Sequence, residues 1–344
     1  MDQGLRDEAK RFLEEYDLID LHVEGMLPHR LFGYDLNKRH TRTYTGGRFM
    51  GHLDFPRAME QDLRAAMWSI TTNPFRSRAS RWRTLLKNLE ALRAQVEASG
   101  GDVEIVTTWG EYQAARGRAK HLCMPAIQGG NALAGAPGGC AAIPGDVITR
   151  VTLLHLTNSL FGVTSSPFRG WKGGEGVTSE GRDFVQDLNH HRIFTDLAHI
   201  NKRGFWDAVE VHDPSLPILV THTGVEGVCP HWRNLDDAQL RAVAESGGTV
   251  GVIFEKSFLR RSQGPSDGGM VLEHLAHIID VVGEDHASIG SDYDGMISPP
   301  RGLDATPDYG SLVAGMLQRG WSFGRIEKII GGNFLRCFRE MRPN

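Results

Sequence analysis

Short apolar runs alternate with segments of helical period along most of this chain. The runs lie near 17–21, 66–70, 122–127, 150–154, 193–197, 217–221, 248–253 and 287–291. Each has the length of a buried strand, and each is followed by turn residues. Between them, Trp82, Leu85, Leu86, Leu89, Leu92 and Val96 recur on one helical face. Leu235-Asp236-Asp237-Ala238-Gln239-Leu240 opens another helix, with Asp236 placed to cap it. This alternation predicts βα units around a parallel sheet. Eight strands is the number that closes a (β/α)8 TIM barrel, so the fold class expected is α/β, a single barrel domain over 1–344. No internal repeat and no long low-complexity linker interrupts it. The Gly-rich stretch Gly129 to Gly145 follows a strand end and is read as a loop shaping the barrel mouth.

Composition narrows the class. The chain is 40% hydrophobic and 23% charged, which is ordinary for a globular enzyme with a large core. A net charge of −4 argues against nucleic acid as the main partner. Arg76, Arg78, Arg81 and Arg83 read as a solvated helix face rather than an RNA site. Cys123, Cys140, Cys229 and Cys337 are scattered without a CxxC pair and are expected to be reduced, buried thiols. Met1 to Glu15 lacks the apolar core of a signal peptide. No run approaches the roughly 20 apolar residues of a membrane span. The expectation is a cytoplasmic enzyme with no membrane partner.

The chemistry gathers at strand ends. Leu18-Ile19-Asp20-Leu21 leads into His22-Val23-Glu24, where two potential ligands share one side of an extended segment. Met124-Pro125-Ala126-Ile127 ends in Gln128, Phe194-Thr195-Asp196-Leu197 leads to His199, Leu219-Val220-Thr221 to His222, and Ile289-Gly290-Ser291 to Asp292 and Asp294. Each alone has a plain reading: a strand-end His is often just a satisfied polar group, and Asp292-Tyr293-Asp294-Gly295 resembles half a calcium loop whose other ligands are missing. Together they form a ring of His and carboxylate at one barrel mouth, the arrangement of a metal-dependent hydrolase. Asp292 could hold a metal or take a proton from its water. Arg233, in Cys229-Pro230-His231-Trp232-Arg233-Asn234, could clamp a substrate carboxylate, or form a surface ion pair. His155, after Val151-Thr152-Leu153-Leu154, could polarise a reacting carbonyl. There is no phosphate-binding glycine loop and no nucleophile-elbow serine.

From about Asp17 to Arg339 the chain resembles the membrane (renal) dipeptidase family, peptidase family M19, of the metal-dependent amidohydrolase superfamily. The resemblance rests on Asp196-Leu197-Ala198-His199, Thr221-His222 with Arg233-Asn234, Thr178-Ser179-Glu180-Gly181, Gly290-Ser291-Asp292-Tyr293-Asp294-Gly295 and Gly331-Gly332-Asn333-Phe334-Leu335-Arg336. It implies a zinc-dependent hydrolase of dipeptides, usually a homodimer, acting on a small molecule with a carboxylate. Carried over by motif, His22, the acidic residue at 24 and Asp292 would hold one metal, and His199 and His222 the other. Position 128 would bridge them, His155 would stabilise the tetrahedral intermediate, Arg233 would bind the substrate carboxylate, and Asp292 would transfer the proton. Two positions depart: Glu24 stands where the family has Asp, and Gln128 where it has Glu. Two neighbouring dications repel, an anionic bridge offsets that, and an amide carries no charge to do so. The expectation is therefore fewer than two tight Zn2+ per chain. The rival expectations are a non-catalytic relative that binds a carboxylated small molecule, and, more weakly, a scaffold protein.

Overall fold

The structure is a computed structural model and describes residues 3–40, 49–167, 175–304 and 308–344. Nine parallel strands run through it: β1 (Leu18–Val23), β2 (Leu63–Thr71), β3 (Val103–Ile105), β4 (His121–Gln128), β5 (Arg150–Thr152), β6 (Phe194–Asp196), β7 (Leu219–Thr223), β8 (Thr249–Val252) and β9 (Ala287–Ile289). Eight of them pair in the order β1-β2-β4-β5-β6-β7-β8-β9, and β3 pairs only with β4, off that path. The eight are those expected from the apolar runs. The short β3 carries too few residues to make such a run.

The sheet closes through the chain just beyond β9. Asp292 N donates to His22 O at 2.9 Å, and Glu24 N donates to Tyr293 O at 2.8 Å. Two candidate ligand segments are thus stitched to each other by backbone. Close approach on the far side of this seam depends on glycine: a Cβ at Gly290 would lie 1.7 Å from Thr221 O, the carbonyl just before His222.

Helices cover the barrel as their periodicity requires. The helix Arg78–Ala98 buries Leu85, Leu89, Leu92 and Val96 and is capped by the Ser77 hydroxyl. Asp236 caps Asp237–Glu245 in a full capping box with Gln239. Of the charged N-terminal stretch, Gln3–Glu15 is helix and residues 1–2 lie outside the described residues. All four cysteines are free and buried. Among the described residues, no helix is long and apolar enough to cross a membrane. From Gly129 the chain folds into three short 3-10 turns, Gly130–Ala132, Gly139–Ala142 and Pro144–Asp146. Their start abuts the mouth, where a Cβ at Gly129 would lie 3.1 Å from His155 Cβ, and farther on Gly135 packs against Arg78 and Cys140 N donates to Asp187.

Candidate active site

The C-terminal ends of the barrel strands converge on one cavity of about 680 Å³, lined among others by Glu24, Gln128, His155, His199, Arg233 and Asp292. His22 and His222 lie directly beneath, fully buried. This is the face where barrel enzymes carry their chemistry. His199 and Asp292 both take left-handed backbone, with φ of 65° and 62°. His and Asp enter that region more readily than most residues, and here it turns two candidate ligands inward immediately after their strands.

The ring nitrogens and carboxylates meet closely. His22 Nε2 lies 3.4 Å from Asp292 Oδ1 and 3.5 Å from Glu24 Oε1. His22, His222 and Asp292 can each offer a ligand atom such that all lie within 4.8 Å of one another. His199 Nε2 is 2.9 Å from His222 Nε2. His22 thus lies beside Glu24 and Asp292, His199 lies beside His222, and His222 also comes within reach of His22 and Asp292. Glu24 stands outside that trio and accepts from the Thr71 hydroxyl at 2.6 Å. Asp294 is not a site residue. It accepts backbone N–H groups of Gly51, His52 and Leu53, as a turn aspartate does.

Gln128 sits at the meeting point. Its Nε2 is 3.2 Å from His199 Nε2 and 3.3 Å from His222 Nε2, while its Oε1 is buried without a partner. An amide N–H₂ can donate to both ring nitrogens, whereas a carboxylate there would face a cation. The convergence of His nitrogens and Asp292 suits one divalent cation. Position 128 brings no anion to share between two cations.

Burial governs the electrostatics. It pushes the Asp292 carboxyl well above the usual carboxylate range, with Glu24 adding to the effect and Arg233 opposing it. The Glu24 carboxyl rises to about 7, again through burial. Burial, aided by the Arg233 charge, lowers His155 to about 3, so its half-buried ring is neutral at the mouth. His155 packs edge-on to His199, with ring centroids 4.7 Å apart.

Arg233 is not the surface residue that the ion-pair alternative required. It is only 4% exposed, and its Nη2 donates to His222 O at 2.8 Å. Its Nε has no partner. Burial brings it down to about 10, so it stays cationic at neutral pH.

A polar floor supports the rings. Asp196 Oδ2 accepts from the hydroxyls of Thr152 at 2.6 Å and Thr221 at 2.7 Å, and Thr221 Oγ1 is 2.9 Å from His222 Nδ1. Since the Thr221 proton goes to Asp196, its oxygen accepts from His222 Nδ1–H, which leaves the His222 Nε2 lone pair facing the cavity. Arg150, fully buried on β5, completes this floor. Neither Arg150 nor the two threonines stood out as site residues in the sequence. The available signal was a charged residue inside the strand-like run Arg150-Val151-Thr152-Leu153-Leu154, because an arginine is almost never fully buried without partners.

Comparison with known proteins decides the family. Residues 6–343 match Membrane dipeptidase (Peptidase family M19). The chain belongs to this family. It is 31% identical over 197 residues to dipeptidase tcpJ of Claviceps purpurea, covering 56% of this chain and 45% of that protein. The curated relatives it first matches are covered over 62% and 45% of their lengths. Among solved structures, the M19 metallopeptidase dipeptidase AC superposes with a TM-score of 0.81 at 26% identity, covering 96% of this chain and 99% of the other. A metallopeptidase from Rhodobacter sphaeroides, liganded with a phosphinate mimic of the dipeptide L-Ala-D-Ala, superposes with a TM-score of 0.80 at 26% identity, covering 95% and 99%. These dipeptidase family members have the barrel inferred from the strand order.

Proposed function

We propose that this dipeptidase family member is a metal-dependent hydrolase that cleaves a dipeptide or similar small amide carrying a free carboxylate. One observation carries the reading: a buried, partly unpartnered Arg233 shares a cavity with converging His nitrogens and Asp292. A scaffold has no use for that pairing. Zn2+ suits the nitrogen-rich donor set, which His222 would anchor with Asp292 on one side and His199 on the other. When bound, it would supply a Lewis acid and a water reactive at neutral pH. Arg233 would orient the substrate through a charge-assisted bond from its free Nε. Asp292, as the carboxylate, would accept a proton from the attacking water and return it to the leaving amine. The neutral His155 would donate to the reacting carbonyl oxygen.

The rim adds a preference. Phe49, Phe75, Leu156, Trp232 and Met296 are exposed large hydrophobics that all line this cavity, with Phe75 88% exposed. They favour a substrate with a bulky apolar side chain. The relative from Rhodobacter sphaeroides was solved with a mimic of a dipeptide of two alanines.

Gln128 favours one second reading: a relative that binds a carboxylated small molecule without cleaving it. Assay of dipeptides with apolar and small residues, on Zn2+-loaded wild type and Asp292→Asn, separates the two. Turnover that disappears in Asp292→Asn supports the hydrolase. Tight binding of the same dipeptides without turnover supports the binding protein.

A further inference from the structure

The floor of the mouth contains a fixed cation of the chain's own. Arg150 is fully buried and extends across the barrel beneath His22. Its Nη2 donates to His22 Nδ1 at 2.9 Å and to Ser69 Oγ at 2.7 Å. Its Nη1 donates to Thr152 Oγ1 at 2.6 Å and to Ile127 O at 3.1 Å, and lies 3.5 Å from Asp196 Oδ2. A guanidinium has donors and no acceptor. His22 Nδ1 must therefore accept, and a neutral His22 then carries its proton on Nε2, the atom that faces Asp292 and Glu24. A histidine that ligates a metal through Nε2 needs the opposite arrangement, with Nδ1–H donated to an oxygen. His222 has that arrangement, through Thr221 and Asp196.

We propose that Arg150 is a positioning residue that holds His22 as an N–H donor and withholds it from metal, so that this chain binds a single divalent cation on the His199 and His222 side. The inference rests on the hydrolase reading of the mouth. The guanidinium also takes over part of the charge balance that a second cation would supply, since its field reaches Asp196, Glu24 and Asp292. With Gln128 neutral above and Arg150 positive below, a second dication would meet more repulsion and less compensation. His22 Nε2 lies 3.4 Å from Asp292 Oδ1 without a hydrogen bond between them, and a small turn of its N–H toward that oxygen would help to orient the carboxylate that moves the proton.

The test reads protons directly. Long-range 1H–15N correlation on histidine-labelled wild type, with His22 assigned through the backbone, is recorded as Zn2+ is added to one and then two equivalents. We expect a protonated Nε2 and a bare Nδ1 on His22 throughout, with the ring signals of His199 and His222 shifting at the first equivalent only. A protonated Nδ1 on His22, or loss of its Nε2 proton on adding Zn2+, would overturn the proposal. Metal counting after dialysis gives the second arm. Wild type and Gln128→Glu should each retain one ion, and Gln128→Glu with Arg150→Met should retain two. Two ions on Gln128→Glu alone would also overturn it. Should the double variant not fold, the wild-type spectrum and the single variant still decide. Should wild type bind no Zn2+ and cleave nothing, the hydrolase reading fails, while the His22 tautomer still decides the role of Arg150.

Discussion

His22 and His222 lie side by side with tilted rings, centroids 3.8 Å apart, yet their outer nitrogens meet opposite partners. His222 Nδ1 faces a threonine oxygen whose own proton is committed to Asp196. His22 Nδ1 faces the guanidinium of Arg150 and the hydroxyl of Ser69. Both rings are fully buried and both sit at strand ends, so burial and position do not distinguish them. The floor does. One histidine is prepared to give a lone pair to a cation and the other to give a proton to a carboxylate. Ligand-type residues at a barrel mouth are therefore not equivalent until the partner of the far nitrogen is known.

The sharpest way to break this comparison is to remove each ring in turn. His222→Asn should abolish retained metal and hydrolysis, a loss on the order of a hundredfold or more, since outer-shell changes alone cost about 10–100-fold. His22→Asn should keep one metal and lose turnover, because the Asp292 carboxylate loses a neighbour while the cation keeps its nitrogens. Elemental analysis beside an activity assay reads both. Equal metal loss in the two variants would remove the distinction.

Arg233→Met should weaken substrates that carry a carboxylate by roughly ten- to a hundredfold, the equivalent of about 1.5–3 kcal/mol for a lost charge-assisted bond. Amidated analogues should be little affected. Because Arg233 is buried and donates to His222 O, this variant should also melt earlier than wild type. A thermal melt and competition between the two ligand types measure these effects separately.

Thr221→Val sharpens the His222 half. It is nearly isosteric and removes the oxygen that accepts from Nδ1–H, so metal affinity should fall by about 10–100-fold while the fold persists. Ser69→Ala, on the His22 half, should leave metal affinity unchanged. Calorimetric titration with Zn2+ compares them.

The barrel was legible in the sequence because buried parallel strands are short apolar runs, and eight of them survive as pairs in order. The ligand-type residues were legible for a related reason: His22, Gln128, His199, His222 and Asp292 interrupt apolar runs at their ends. What those residues do was not legible. Their roles depend on Arg150 and Ser69, which reach His22 from other strands, and on Asp196, which fixes the Thr221 hydroxyl beside His222 from the neighbouring strand, and no local spacing reports such contacts. Arg233 shows the same limit: nothing in Cys229-Pro230-His231-Trp232-Arg233 says that its side chain turns beneath the mouth to His222 O.

A smaller effect follows from pH. Burial holds His121 and His274 down to about 4 and His155 to about 3, and it lowers His22, His199 and His222 well below the ordinary value. The unfolded chain takes up these protons as pH falls through about 6.5, and the folded chain does not, so stability is lost in that direction. Asp292, raised well above the carboxylate range, and Asp20 and Glu24, raised to about 6 and about 7, act in the opposite sense, but these three carboxyls stand against six histidines. Each uncompensated proton is worth about 1.4 kcal/mol per pH unit. In chelator, the melting temperature should fall by several degrees between pH 7 and pH 5; a flat or rising profile would mean that the carboxylates dominate.

The most direct measurement of the central claim is metal content and dipeptide turnover on the same wild-type sample, purified without chelator and dialysed. We expect one divalent cation per chain and hydrolysis of dipeptides with an apolar residue that stops when the ion is removed and returns with Zn2+. Two retained ions would contradict the single-cation site, and turnover unaffected by complete metal removal would contradict the hydrolase as drawn.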